Sequence, residues 1–229
     1  SSNSSNYVAG IVGFVEGYNA ITEIEKIYNS GSVILDSTSS INYVAGIVGY
    51  ANIVNVTECY NIGTITCNTN SFALGGIVGA IGSKTITTAE NSYVSYSISY
   101  ADITVNAVSS NALVGGIIGN NLFQNATKVN IVNCVSMSRT YGTNDNKEFI
   151  QGIGTNITVG SDDNNFFIVE FASASTIGTS TTYGNFGQTT NSICGSGSTY
   201  MFEKAVYNSS TTITPSIKSL YMFDKLNIA

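Results

Sequence analysis

With no histidine in 229 residues, this chain has no Ser-His-Asp or Cys-His arrangement for nucleophilic catalysis and lacks the commonest zinc ligand sets. What is left is carboxylate chemistry of the kind β-helical polysaccharide lyases and hydrolases use. It needs acidic clusters on a groove, often with calcium and a basic residue. The one adjacent acidic pair is Asp162-Asp163, within Gly160-Ser161-Asp162-Asp163-Asn164-Asn165. That segment has the composition of a polar turn and lacks the alternating Asp-x-Asp-x-Asp of a calcium loop. Glu16, Glu23 and Glu25 fall in or beside a long loop and read as a solvated face before they read as a weak cation site. Arg139 and Lys128, the basic residues available to a lyase, come from different parts of the internal repeat. The expectation is a non-enzyme with no catalytic residues, no metal and no cofactor.

Cysteine and tyrosine offer other chemistry. Cys59, Cys67, Cys134 and Cys194 match no zinc spacing. Cys59 and Cys134 sit at equivalent places two repeats apart, roughly 9–10 Å at about 4.8 Å per coil, beyond disulfide reach. They read as buried thiols, with a Cys59–Cys67 bridge as the alternative. Tyr28, Tyr60 and Tyr93 recur once per repeat and are expected to form a ladder, either structural or sugar-binding. Thr64-Ile65-Thr66, Thr85-Ile86-Thr87 and Thr212-Ile213-Thr214 resemble an ice-binding array but are out of phase with the repeat. Sequons place possible N-glycosylation at Asn3, Asn55, Asn125, Asn156 and Asn208.

The elements that must position these residues come from a repeat. Ala9-Gly10-Ile11-Val12-Gly13 returns as Ala45-Gly46-Ile47-Val48-Gly49, Gly75-Gly76-Ile77-Val78-Gly79 and Gly115-Gly116-Ile117-Ile118-Gly119, with a worn copy at Gln151-Gly152-Ile153-Gly154. Successive copies are 36, 30, 40 and 36 residues apart, a period that means a stacked array. About seventeen residues on, a second motif recurs. It reads Ile27-Tyr28-Asn29-Ser30-Gly31-Ser32-Val33 and Cys59-Tyr60-Asn61-Ile62-Gly63-Thr64-Ile65, then Ser92 to Ile98 and Cys134 to Thr140. Short alternating runs of Val, Ile, Tyr and Thr bounded by Gly, Asn and Ser predict strands.

The glycines are expected at sharp corners, with positive φ or close backbone approach. One residue of each Ile-Val pair should face the core and the other should not. A coil of two or three short strands leaves surplus residues for loops, namely Val15 to Ile24, Asn52 to Val56, Ser83 to Ala89 and Asn121 to Asn130. These should line up along one edge. The predicted fold is an all-β, single-stranded β-solenoid, parallel β-helix-like and of either hand. It has about five coils in residues 1–159, then irregular final coils and a C-terminal cap in 160–229. Tyr200 to Val206 and Ser216 to Leu226 carry the helix-like composition of such a cap. The first repeat begins at Asn6 without a comparable cap, so its edge is expected to meet a second copy or an upstream segment of the same protein.

Composition narrows the partners. Charged residues make up 10% of the chain and the net charge is −6, which excludes a nucleic-acid footprint and disfavours anionic membranes. No apolar run approaches the roughly 20 residues of a span. The sequons, the low charge and the absence of Trp point to an extracellular or cell-surface glycoprotein. Its remaining partners would be glycans or a host or cell-surface protein.

The alternation of Gly-Gly-Ile-Val-Gly with Cys-Tyr-Asn-x-Gly-x-Ile, clearest at Gly46 to Gly49 and Cys59 to Ile65, resembles the GLUG-like β-solenoid repeats of bacterial and protist surface proteins. The resemblance covers roughly residues 6–160. It implies stalks, adhesive surfaces or spacers. The metallopeptidase activity found beside such repeats in immunoglobulin-A-cleaving enzymes does not carry over, because the His-Glu-x-x-His zinc site is absent. The resulting expectation is an adhesin-like stalk, coat or fibre component. A carbohydrate-binding module is the alternative, and a β-helical lyase or hydrolase comes after it.

Overall fold

The computed structural model describes residues 5–18, 20–37, 41–69, 72–82, 91–106, 112–123, 129–136, 138–142, 150–151, 165–168 and 185–188. These residues contain strands and no helix, and every strand pairing is parallel. The first coil runs β1 (Ser5–Ala9), β2 (Val12–Glu16), β3 (Thr22–Glu25), β4 (Tyr28–Asn29) and β5 (Val33–Leu35). The second runs β6 (Ile41–Ala45), β7 (Val48–Asn52), β8 (Val54–Thr57), β9 (Tyr60–Asn61) and β10 (Ile65–Cys67). The third is β11 (Phe72–Gly75), β12 (Val78–Ile81), β13 (Ser92–Ser95), β14 (Ile98–Ser99) and β15 (Asp102–Val105). The fourth is β16 (Ala112–Gly115), β17 (Ile118–Asn121), β18 (Val129–Val132), β19 (Val135–Ser136) and β20 (Arg139–Gly142), and β21 (Ile150–Gln151) follows.

Equivalent strands stack into five sheets. Sheet A holds β1, β6, β11, β16 and β21; B holds β2, β7, β12 and β17; C holds β3, β8, β13 and β18; E holds β5, β10, β15 and β20. Sheet D stacks β4, β9, β14 and β19, then β22 (Asn165–Ile168) and β23 (Asn185–Gln188). This is a β-solenoid-like stack, with five strands per coil where two or three were expected. The strands of sheet C, four residues each and alternating in burial, lie beside or within the stretches expected as loops. The expected cap falls outside the described residues except for β22 and β23, which prolong sheet D.

The length variation has a definite place. The A–B and C–D corners are short in every described coil, while the B–C corner takes residues 17–21, 53, 82–91 and 122–128 in turn. The length variation therefore shares one edge, but the expected loops were drawn too wide: Val15–Ile24 and Asn121–Asn130 include strand residues at both ends, and of Asn52–Val56 only Ile53 lies outside β7 and β8. Smaller differences collect at the E–A corner, at residues 36–40, 68–71, 106–111 and 143–149.

The described buried apolar residues form two large clusters and a small third one, Tyr50, Ala73 and Ala80. Sheets B, C and D enclose Ile47, Val48, Ala51, Val54, Val56 and Cys59 with their equivalents in later coils. Sheets A and E enclose Val44, Leu74 and Val114 with Leu35, Ile65, Cys67 and Ile103. Both members of each Ile-Val pair are buried in coils two to four, against the expected split. The isoleucine lies in the A–B corner and the valine opens the next strand, so strand alternation does not separate them. Among the described residues the buried polar side chains are all Asn, Ser or Thr. The scarcity of charge thus follows from an interior that tolerates only neutral polar groups.

The repeat glycines serve close approach and do not supply positive φ. Gly82 is the one described glycine with a positive φ. A Cβ on Gly46 would sit 2.6 Å from the Gly76 carbonyl oxygen, and one on Gly49 would sit 2.5 Å from Gly13 O and 3.0 Å from Val8 N. The left-handed conformation recurs instead at the C–D corner, on Lys26, Glu58, Tyr96 and Asn133, with φ of 58°, 53°, 49° and 55°, and occurs once at the B–C corner, on Ile53 (φ 54°). That recurrence is invisible in sequence because four different side chains occupy the position.

Gly49→Ala should lower stability by about 1–3 kcal/mol or more, because the obstruction is backbone and cannot swing aside. Gly31→Ala, whose added Cβ would meet only Asn29 Oδ1 at 3.3 Å, should stay within about 0.5 kcal/mol. Urea denaturation midpoints of the two variants check this.

Candidate interaction surfaces

The second motif is built around a buried asparagine. The Asn61 Oδ1 accepts the Gly63 N–H at 3.0 Å, closing the turn from β9 toward β10. Its Nδ2 donates to the Gly76 carbonyl at 2.9 Å, one coil further on. Asn29 repeats the turn with the Gly31 N–H at 3.0 Å and donates to Asn61 Oδ1 at 2.9 Å. These side chains lie against the first glycine of the repeat: a Cβ on Gly10 would meet Asn29, and one on Gly46 would meet Asn61. In the third coil Ser99 takes the place of asparagine against Gly76 and shares a 2.6 Å hydrogen bond with Ser138. The Gly-Ile-Val-Gly and Tyr-Asn-x-Gly motifs are two sides of one contact across the coil. Gly10, Gly46 and Gly76 pack on the carbonyls of Gly46, Gly76 and Gly116 in the next coil, and Gly49, Gly79 and Gly119 pack on those of Gly13, Gly49 and Gly79 in the coil before. Gly152 lies outside the described residues.

The tyrosine ladder needs correction at its third rung. Tyr28 and Tyr60 are in register on sheet D with ring centroids 5.6 Å apart. Tyr93 is on β13 in sheet C, opposite Asn55, and the residue in register with Tyr60 is Ile98. The third ring near this column belongs to Tyr100, whose N–H donates to Asn61 O at 2.7 Å. Burial, followed by the nearby Tyr28 and Tyr100 hydroxyls, raises the Tyr60 pKa.

A larger aromatic group was not anticipated. Tyr7 stacks on Tyr43 (5.6 Å) and Phe14 on Tyr50 (5.1 Å, planes 6° apart), while Tyr7 meets Phe14 edge-on at 5.0 Å. Its signal was present in the sequence: Asn6 to Gly13 and Asn42 to Gly49 are identical, and each is followed by an aromatic residue. The first coil leaves uncovered what the second buries. Ile11 is 46% exposed where Ile47 is 0%, and Phe14 is 48% exposed where Tyr50 is 9%. Tyr28 is exposed as well.

The remaining candidates are dispersed. Glu16 and Glu23 lie on strands and accept from Asn52 Nδ2 (2.9 Å) and Asn55 Nδ2 (2.8 Å), while Glu25 pairs with exposed Lys26 at 3.3 Å. Arg139 is on β20 in register with Asp102. Among the described residues no three His, Cys, Asp or Glu side chains converge as metal ligands. Of the sequons, Asn55 is described, on the central strand β8 between β3 and β13. Asn3, Asn125, Asn156 and Asn208 lie outside the described residues, as do Asp162, Asp163, Lys128 and Cys194. Thr64-Ile65-Thr66 overlaps β10, and the other two Thr-Ile-Thr runs lie outside the described residues. Cys59, Cys67 and Cys134 are free buried thiols, which leaves no Cys59–Cys67 bridge. Burial pushes the Cys59 pKa up to about 11 and that of Cys67 up to about 12. No described helix is long and apolar enough to cross a membrane.

The arrangement defines a class, a stack of parallel β-coils with aromatic columns along its length. The chain matches no family model, and no significant match to it is found among curated proteins or solved structures.

Asn61→Ala removes the partners of the Gly63 N–H, the Asn29 amide and the Gly76 carbonyl, so a loss of about 2–3 kcal/mol is expected. Asn61→Ser, which copies the third coil, should retain part of it. Thermal unfolding of both variants measures the difference.

The buried thiols predict an alkaline weakness. An unfolded thiol ionises near about 8.5, so above that pH the unfolded chain gives up protons that the folded chain keeps until about 11 for Cys59 and about 12 for Cys67. The contribution is whole below the unfolded pKa and declines as pH rises through this window. Denaturation midpoints should fall between pH 8 and 11. Cys67→Val, which keeps bulk and removes the proton, should make the fall shallower.

Proposed function

We propose that this chain is a non-catalytic structural and adhesive repeat module of a cell-surface or extracellular protein, a stalk, coat or fibre segment that extends by adding coils. About five coils and a C-terminal cap complete the unit in this reading. The observation that carries it is the contrast between the first two coils. The edge of coil one exposes Ile11 and Phe14, whose counterparts Ile47 and Tyr50 are covered. Covering one such side chain is worth about 1.5–3 kcal/mol, and unpaired strand edges add hydrogen-bonding demand. The edge accordingly has the character of a coil-addition surface for a second copy or an upstream segment.

The motif likeness to GLUG-like repeats supports the same role, since that resemblance implies spacers and adhesive surfaces. Low charge and sequons support the extracellular setting. Carbohydrate binding is the weaker reading for Tyr28 and Tyr60. Their rings pack on one another, and a sugar platform needs open ring faces.

Negative-stain electron microscopy and an assay for new reducing ends from pectins, alginates and glycosaminoglycans test the proposal together. Elongated particles with no released sugar are expected. Compact particles, or cleavage of any of these polymers, would overturn it.

A further inference from the structure

We propose that Tyr28 and Tyr60 form an oxidative cross-linking site, at which a haem peroxidase with hydrogen peroxide joins the two rings through a carbon–carbon bond and ties coil one to coil two covalently. The site lies on the side of the stack and depends on neither the coil-addition nor the adhesive reading above.

The backbone brings the two phenols together. Strands β4 and β9 pair in parallel, with Tyr28 opposite Tyr60 and Asn29 opposite Asn61, so like groups stand at the same height. Strand alternation sends the asparagines inward, where they are buried, and the tyrosines outward. Hydrogen bonds bracket the pair. The Tyr60 N–H donates to Ile27 O at 2.8 Å and the Ile62 N–H to Asn29 O at 2.9 Å. Beneath the rings, Asn29 Nδ2 donates to Asn61 Oδ1 at 2.9 Å. The ring centroids lie 5.6 Å apart with planes tilted by 32°. Two reacting groups held this way meet intramolecularly, without a bimolecular encounter.

Access to an oxidant comes from the direction the sheet faces. The outer side of sheet D looks sideways from the stack. Tyr60 has β4 on one side and β14 on the other, and its side chain is still part exposed.

The surroundings single out this pair. Tyr7 and Tyr43 are also in register, but Phe14 packs on Tyr7 and Tyr50 packs on both, which holds those rings against turning. Among the described residues no third ring packs on Tyr28 or Tyr60. The next residue in the column is Ile98, which cannot couple, so the link is a single one. The chain has no Trp to compete for the oxidant. Cys59, Cys67 and Cys134 are buried, and burial keeps Cys59 and Cys67 protonated, whereas it is the thiolate that oxidises readily.

The reaction balances without another participant. Each phenol gives up one electron and its hydroxyl proton, and together these reduce one hydrogen peroxide to two waters. The two phenoxyl radicals pair at ring carbons ortho to oxygen, forming one carbon–carbon bond. The hydrogen on each of those carbons then passes as a proton to its own ring's oxygen, which restores both phenols. The rings must turn toward edge-to-edge for the carbons to meet, and their place on the outer face leaves room for that.

Oxidising the full chain at low concentration with hydrogen peroxide and a haem peroxidase tests the site. The expected product is a monomer with dityrosine fluorescence, whose digest contains a peptide pair joined 28-to-60 and lighter by two hydrogens than its parts. Tyr28→Phe and Tyr60→Phe keep the ring and remove the hydroxyl, so either should abolish that link, while Tyr7→Phe should leave it. The linked chain should unfold at a higher urea concentration than the unlinked one. Absence of dityrosine would overturn the proposal, as would links formed mainly between molecules, or 7-to-43 or 60-to-100 in place of 28-to-60. Equal yields of the 28-to-60 link from the folded chain and from the chain oxidised in urea would overturn it too, because the fold would then contribute nothing.

Discussion

The structure depends on an asparagine side chain inserted against a glycine. Asn29 and Asn61 cross the coil to the A–B corner, where Gly10 and Gly46 leave them room. Each amide spends its oxygen on its own turn and its nitrogen on a partner one coil further along. Gly46 follows Val44 of one apolar cluster and precedes Ile47 of the other, so the polar seam lies where the clusters meet. A buried amide tolerates no loose end, and this one sets the turn, the spacing between coils and the identity of the facing residue together. Where Ser99 replaces asparagine, the shorter side chain still contacts Gly76 and recruits Ser138.

The rest of the composition follows from that seam and from stacking. Parallel strands in register bring like side chains together, so a charge at any repeated position would meet its own copy a few ångströms away, while neutral amides, hydroxyls and rings reinforce one another. Asn6 donates to Asn42, Thr57 bonds Ser95, and Asn106 donates to Asn68. The same logic makes the first coil unlike the others. Its Tyr7, Phe14 and Tyr28 rings pack on rings of coil two, and Tyr7 and Phe14 also on each other.

Legibility varied with how much of a contact each motif carried. The Gly-Ile-Val-Gly run was readable in every described coil because close backbone approach admits one residue type. The second motif was readable in coils one, two and four, where Val135 falls in the column of Tyr60, and misleading in the third. In the third coil Ser97-Ile98-Ser99 stands in for Cys59-Tyr60-Asn61. Tyr93, five residues earlier than Ile98, imitated the missing tyrosine and drew the alignment onto sheet C. The left-handed corner at Lys26, Glu58, Tyr96 and Asn133 had no sequence signal, because the backbone demand there is met by tertiary hydrogen bonds and not by residue type. The Lys26 N–H reaches Thr57 O, the Glu58 N–H reaches Ser95 O and the Tyr96 N–H reaches Val132 O.

By itself the sequence determined that this chain stacks as parallel β-coils, that its interior is neutral, and that the variable lengths gather at one edge. Those properties are local or periodic, and periodicity survives in one dimension. Only the tertiary structure decided that each coil has five strands, that both members of the Ile-Val pair are buried, and which rings stand over which. Those depend on the angle at each corner and on the register between coils. Both are set by contacts between residues thirty to forty positions apart, such as Asn29 with Asn61 and Thr57 with Ser95, separated by 32 and 38.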